Sequence, residues 1–224
     1  MSSGQLAGPA KPALVADQVY EVISNAIFTG ELPGGSRLRI RDLAAMCGTS
    51  VMPVRDAIRR LEEEGLATSS PHKGAIVRDF TTAELLEIYD VRLTLEVEAT
   101  RKGTPRVTED AIEAMRATCA RMQQAVSEER VQDALDEDES LLRHLYSAAG
   151  NSVLTGLIET LWLQCRPYKM IGATAAIQAG DQSLWTPQPE LVEAVARRDV
   201  RGAMRITRDS VISARRRLEA TIDH

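Results

Sequence analysis

Six arginines, Arg37, Arg39, Arg41, Arg55, Arg59 and Arg60, lie between Ser36 and Arg60, opposed there by only Asp42 and Asp56. A guanidinium carries a fixed charge and a planar fork of donors that matches phosphates and guanine edges. Such a run therefore offers the chemistry of nucleic-acid recognition. The whole chain has a net charge of −5, with acid concentrated at Glu128-Glu129 and from Asp133 to Glu139. A locally basic segment on an acidic protein can still hold phosphates, while the acidic remainder limits non-specific adhesion. Catalysis has little to stand on. His72, His144 and His224 are far apart in the chain, no Ser or Cys has an activating context, and no glycine-rich phosphate loop follows a strand. Cys47, Cys119 and Cys165 form no CxxC pair and read as reduced thiols in a cytoplasm, with neither disulfide nor zinc site. Neither a secretory leader nor an apolar run long enough to span a bilayer is expected.

The elements that must position these arginines follow from periodicity. Residues 1–13 are rich in Gly, Ser, Ala and Pro and predict a disordered arm. A first helix is expected over Val15 to Thr29, a short second one over Ile40 to Cys47, and a third over Val51 to Glu64 with Ser50 as its N-cap. Leu66 to Ser70 and Ala75 to Val77 predict two strands joined by Pro71-His72-Lys73-Gly74. Three short helices and a two-stranded ribbon are the order of a winged helix-turn-helix over residues 14–78. On the third helix Met52, Arg55 and Arg59 fall at i, i+3 and i+7, opposite an apolar stripe of Val54, Ala57, Ile58 and Leu61. Arg55 is placed for a bidentate guanine contact, Arg41 for a phosphate or a base at the groove rim, and His72, Lys73 and Gly74 for a wing tip near the minor groove. By spacing alone the same arginines are equally a solvated helix face.

After a linker at 79–82 the pattern is helical only, over residues 83–224. Thr81-x-x-Glu84 reads as a capping box for a helix to about Lys102. Further helices are expected at Thr108 to Val126, Val131 to Ala149, Ser152 to Tyr168, Glu190 to Arg197 and Val200 to Ile222. Gly172 to Gln188 reads as a short helix or a loop. The fold class is mainly α, a winged helix-turn-helix followed by an antiparallel helical bundle. Leu135, Asp138, Leu142, Leu145 and Ala149 share one helical stripe, which turns Asp138 inward, where a carboxylate must be paired, hydrated or protonated. Arg92 is the expected partner; an internal ion pair and a ligand-binding role are both open. Ala203, Thr207, Ser210 and Ala214 form a face of small residues on the last helix, a feature of close packing or of a cavity.

The run Ser50-Val51-Met52-Pro53-Val54-Arg55-Asp56-Ala57-Ile58, continuing to Leu61 and Gly65-Leu66, resembles the signature of the GntR family of bacterial regulators. The resemblance covers Val15 to Val77. It implies DNA binding by a homodimer on a palindromic operator, with Arg41, Arg55 and Gly74 at positions that read DNA in the family. Val51 departs from the arginine common there, which implies an altered operator preference. The remainder, through Tyr89-x-x-Arg92-x-x-x-Glu96, Asp138 to Asn151 and Asp199-x-x-x-Ala203-Met204, is similar to the FCD effector domain of the FadR subgroup. Many such domains hold a divalent metal through one Asp and three His. Here only Asp138 matches; Leu142, Gln188 and Ser210 stand at the histidine positions, and His144 lies about 200° around the helix from Leu142 by helical geometry. No metal and no cofactor are therefore expected. The expected effector site comprises Arg92, Asp138, Gln188, Thr207 and Ser210, with Trp162 or Tyr168 beside them. It would take a small organic acid or a hydrophobic metabolite. The rival reading is a helical domain that only dimerises the DNA reader.

Overall fold

The computed structural model describes residues 12–70 and 74–222. They fall into two compact units, one ending at Asp79 and the other beginning at Phe80. In the first unit α1 (Pro12–Phe28), α2 (Ile40–Met46) and α3 (Val51–Glu63) precede β1 (Ala67–Ser70) and β2 (Gly74–Val77). Val19, Ile23 and Ile27 of α1, Leu43 of α2 and Val54, Ile58 and Leu61 of α3 are buried, with α1 and α2 both packed on α3. This is the inward stripe that the 3.6-residue period requires. The strands pair antiparallel from Ala67↔Val77 to Ser70↔Gly74, and Arg37 adds a single bridge to Ile76. Gly74 opens β2 with φ +74°, a conformation costly for a side chain to adopt.

Pro12 and Ala13 belong to α1, which begins within the stretch expected to be an unstructured arm; the rest of that arm lies outside the described residues. Ser50 stands at the N-cap of α3 with extended backbone, yet its hydroxyl makes no capping bond.

The second unit packs α4 (Thr82–Gly103), α5 (Glu109–Ser127), α6 (Val131–Ser147), α7 (Ser152–Gln178), α8 (Pro187–Ala196) and α9 (Val200–Ile222). The capping box at its start is complete: Glu84 N–H donates to Thr81 Oγ1 at 3.3 Å, and Thr81 N–H to Glu84 Oε2 at 2.9 Å. Helix α5 pairs with α6, α4 with α9, and α8 with α9; α7 lies against α4 and α6. Gly103 allows the tight crossing of α4 on α6, since a Cβ there would stand 2.2 Å from the Leu145 carbonyl oxygen. No helix among the described residues is long and apolar enough to cross a membrane.

Helix α7 overturns the expected stop at Tyr168. It runs through Pro167 and Gly172 to Gln178, although an internal proline removes a ladder bond at a cost of about 3 kcal/mol. Tertiary anchoring offsets that cost. Trp162, Cys165 and Ala173 are buried on either side of the proline, and Arg166 and Lys169 are tied to α6.

Candidate functional site

Two surfaces have the makings of a site. The first is the outer face of α3. With Val54, Ala57, Ile58 and Leu61 turned inward, Met52 is left 61% exposed and Arg55 and Arg59 face outward. The six arginines are not equivalent. Arg60 is committed to structure: it pairs with Glu64 at 3.0 Å and Asp17 at 3.4 Å, and its guanidinium lies 3.8 Å from the Tyr20 ring centroid, fixing α3 to α1. The Tyr20 hydroxyl bonds Glu64 in turn. Burial, reinforced by that carboxylate, pushes the phenol well above its ordinary range. Arg39 is paired with Asp42 at 3.7 Å, and Arg59 is shared between Asp56 at 3.7 Å and Glu63 at 4.0 Å. Arg37, Arg41 and Arg55 are exposed and make no ion pair among the described residues. These three are therefore the cations with least to give up on meeting an anion. Gly74 is exposed beside this face, while His72 and Lys73 lie outside the described residues.

The second surface is internal. A cavity of about 790 Å³ opens among α4, α6, α7, α8 and α9. Arg92, Asp138, Gln188, Thr207 and Ser210 all line it, as does Tyr168; Trp162 does not. The expected pairing of Arg92 with Asp138 is wrong. Arg92 Nε donates to Glu96 Oε1 at 2.8 Å, one helical turn along α4, and the guanidinium lies 4.6 Å from the Tyr89 ring centroid. Burial alone would push Arg92 down; the Glu96 charge more than reverses this and holds it well above its ordinary value. Asp138 instead accepts from Gln188 Nε2 at 2.5 Å. Burial pushes its carboxyl upward despite the nearby Lys169 ammonium and the Gln188 bond. Thr207 shares a hydrogen bond with Thr100 across α4 and α9 at 3.0 Å, so its hydroxyl is already partnered.

Glu96, Glu139, Arg166 and Lys169 were not among the expected site residues. Glu96 is 1% exposed and accepts from Arg92, from Trp162 Nε1 at 2.9 Å and from Tyr146 Oη at 3.0 Å. Trp162 is thus a wall strut held by this carboxylate. Glu139 on α6 receives Arg166 at 2.7 Å and Lys169 at 2.9 Å from α7, and Arg166 also pairs with Asp136. The i, i+4 spacing of Arg92 and Glu96 was a usable signal for the first pair. Nothing in the spacing marks the second cluster.

The donor set does not fit a divalent metal. Asp138 is accompanied by Leu142, by Gln188 already bonded to it, and by the hydroxyl of Ser210, whereas such ions need imidazole or carboxylate donors converging from several helices. No cluster of three or more His, Cys, Asp or Glu side chains suited to a metal occurs among the described residues. His144 is half-buried and lines a different, shallower hollow.

A winged helix-turn-helix with an outward arginine face, followed by a helical unit whose mainly apolar cavity carries a few polar groups, is the build of a two-domain transcription regulator. Residues 15–77 match the profile for bacterial regulatory proteins of the gntR family, and residues 87–212, more than half of the chain, match the FCD domain. The chain belongs to the gntR family and carries an FCD domain; it is a DNA-binding transcription regulator. It is 42% identical over 82 residues to a probable D-xylose utilization operon transcriptional repressor of Paenarthrobacter nicotinovorans, covering 37% of this chain and 36% of that protein. With the transcriptional regulator McbR of Escherichia coli K12 it shares 24% over 160 residues, 71% of this chain and 72% of McbR. The solved E. coli McbR/YncC structure superposes with a TM-score of 0.80 over 93% of this chain and 98% of that one, at 21% identity, a likeness of fold.

Proposed function

We propose that this regulator binds a palindromic operator as a homodimer and represses until a small molecule occupies the α4–α9 cavity. The observation that carries the DNA reading is that Arg55, exposed and without an ion pair among the described residues, stands with exposed Met52 on α3, whose opposite face is packed, while Arg41 is exposed on the preceding α2. Arg55 reads a guanine edge, Arg41 and Arg59 take phosphates at the rim, and Met52 contacts base methyl groups. The Ser50 hydroxyl, not used as a cap, remains available for a phosphate. Gly74 belongs to the DNA-contacting set of this proposal, as do His72 and Lys73. Two copies are required because a two-fold operator is matched by a two-fold protein. Arg92, Asp138, Gln188, Thr207 and Ser210 line the effector site, whose occupant is an organic acid or a hydrophobic metabolite. The relative from P. nicotinovorans bears the name of a repressor, which supports that sign of action here.

The test is fluorescence polarisation of full-length protein on its own upstream duplex and on random duplex, across a salt series, with sedimentation of the complex. A salt-sensitive preference for the upstream duplex, with two protomers per site, is expected. Equal affinity for both duplexes would overturn the DNA reading, and a complex holding one protomer would overturn the homodimer. Unchanged operator affinity with every fraction of a metabolite extract would leave a helical unit that only dimerises.

A further inference from the structure

Three polar atoms at the cavity are buried and have no hydrogen-bond partner among the described residues: Arg92 Nη1, Trp185 Nε1 and Gln188 Oε1. The residues are 5%, 4% and 5% exposed, and all three line the cavity. Native proteins leave few such groups unsatisfied, because each costs about 1–3 kcal/mol of desolvation. Two of the three are donors and one is an acceptor. A molecule that completes them must both accept and donate hydrogen bonds.

Charge narrows the head group further. The charged side chains that line the cavity balance, Arg92, Lys169 and Arg217 against Glu96, Asp138 and Asp181. Arg92 faces Glu96, while Lys169 and Arg166 face Glu139, and Arg166 also pairs with Asp136. Asp138, 8% exposed, has no ion-pair partner among the described residues and accepts only the Gln188 amide. No net charge is left over for a charged head to neutralise. An anionic head would bring an uncompensated charge beside Asp138 and Glu96 in a low-dielectric site. A cationic head would suit Asp138 but present only donors to Arg92 Nη1 and Trp185 Nε1, leaving both unsatisfied. A neutral head incurs neither penalty.

The rest of the wall is apolar. The cavity separates two packed clusters, one containing Leu135, Leu191 and Ile206, the other Leu85, Val211 and Leu218. Neither cluster closes the space between them, which suits an apolar body attached to the head.

Resting on the effector reading above, we infer that the cavity selects an uncharged amphiphile, a head that donates and accepts hydrogen bonds, as a carboxamide does, on an apolar chain. The test uses full-length protein and a matched series of octanamide, octanoate and octylamine at neutral pH, read by calorimetry and thermal shift. Octanamide is expected to bind about tenfold or more tightly than either charged analogue, the scale on which a site built to hydrogen-bond its ligand discriminates. Gln188→Leu, checked for folding by circular dichroism, should erase most of that preference. Asp138→Asn should raise octanoate affinity severalfold by removing the competing charge. If octanoate or octylamine binds most tightly, this inference falls while the effector cavity stands. If none of the three binds, both fall.

Discussion

Glu96 is the residue on which the second unit's polar interior turns, and Glu96→Gln tests that directly. The substitution keeps size and one acceptor oxygen but removes the charge opposite Arg92 and places an NH2 where a carboxylate oxygen now accepts. Three donors converge on the native group, Arg92 Nε at 2.8 Å, Trp162 Nε1 at 2.9 Å and Tyr146 Oη at 3.0 Å. Side-chain exposure of the ion pair is 6% for Arg92 and 1% for Glu96, so water cannot replace the lost partner. Removing one member of a buried pair typically costs about 3–5 kcal/mol, because the other is left charged and uncompensated. For a protein of this size each kcal/mol moves the melting midpoint by roughly 2–4 °C, so a fall of roughly 6–20 °C is expected by calorimetry. The decisive arm is Arg92→Met combined with Glu96→Gln. Deleting the cation as well removes the uncompensated charge, so the double variant should regain about 2 kcal/mol over Glu96→Gln alone. A Glu96→Gln protein melting within about 2 °C of the parent, or single losses that simply add, would refute the reasoning.

Three further outcomes are expected. Arg55→Ala should cost about 1–3 kcal/mol of discrimination, roughly 5- to 150-fold between the upstream duplex and random duplex, whereas Arg41→Ala should weaken both about equally; titrations at fixed salt separate the two. Arg60→Ala should lower the stability of the first unit by about 1 kcal/mol in urea denaturation, through loss of the Tyr20 stack and exposed ion pairs, while leaving the preference for the upstream duplex unchanged. Burial raises the Asp138 pKa, so the folded protein holds that proton more tightly than the unfolded chain. Its contribution to stability is therefore lost as pH rises from the ordinary carboxylate value through the raised one. Asp138→Asn, which keeps an acceptor for Gln188, should be more stable than the parent at neutral pH and should lose that part of the pH dependence; a variant less stable at every pH would count against it.

The first unit was largely legible because its signals are local. A single apolar stripe fixes which side of α3 is free and Gly65 stops the helix; in the second unit the capping box at Thr81 and Glu84 is just as local and marks where α4 starts. What failed depended on partners distant in sequence. Proline chemistry argues for a break in α7 near Pro167, and only burial on both sides of it, with Arg166 and Lys169 anchored on Glu139, carries the helix onward. The inward direction of Asp138 follows from its stripe; its partner does not. Arg92 is expected opposite Asp138, whereas it pairs with Glu96 one turn along α4, a contact that the i, i+4 spacing could have signalled. Arg60 was counted with the DNA-facing charges because its ties to Asp17 and Tyr20 cross from α3 to α1.

These distant ties also explain how so large a space persists inside a bundle. Close packing is the default for protein interiors, and an apolar void tends to collapse onto itself. Here the walls are held at fixed spacing by directional bonds. Glu96 joins α4 to α6 and α7 through Tyr146 and Trp162, Glu139 joins α6 to α7, and the Thr100–Thr207 bond joins α4 to α9. Helix α8 meets α6 at the cavity through the Gln188–Asp138 bond, and Trp185, just ahead of it, has an indole N–H with no partner among the described residues. A ligand that engages Trp185 and Gln188 adds polar ties between α8 and the rest of the wall. Differential binding of this kind is what a sensor needs, since only an interaction that differs between two arrangements can shift the balance between them.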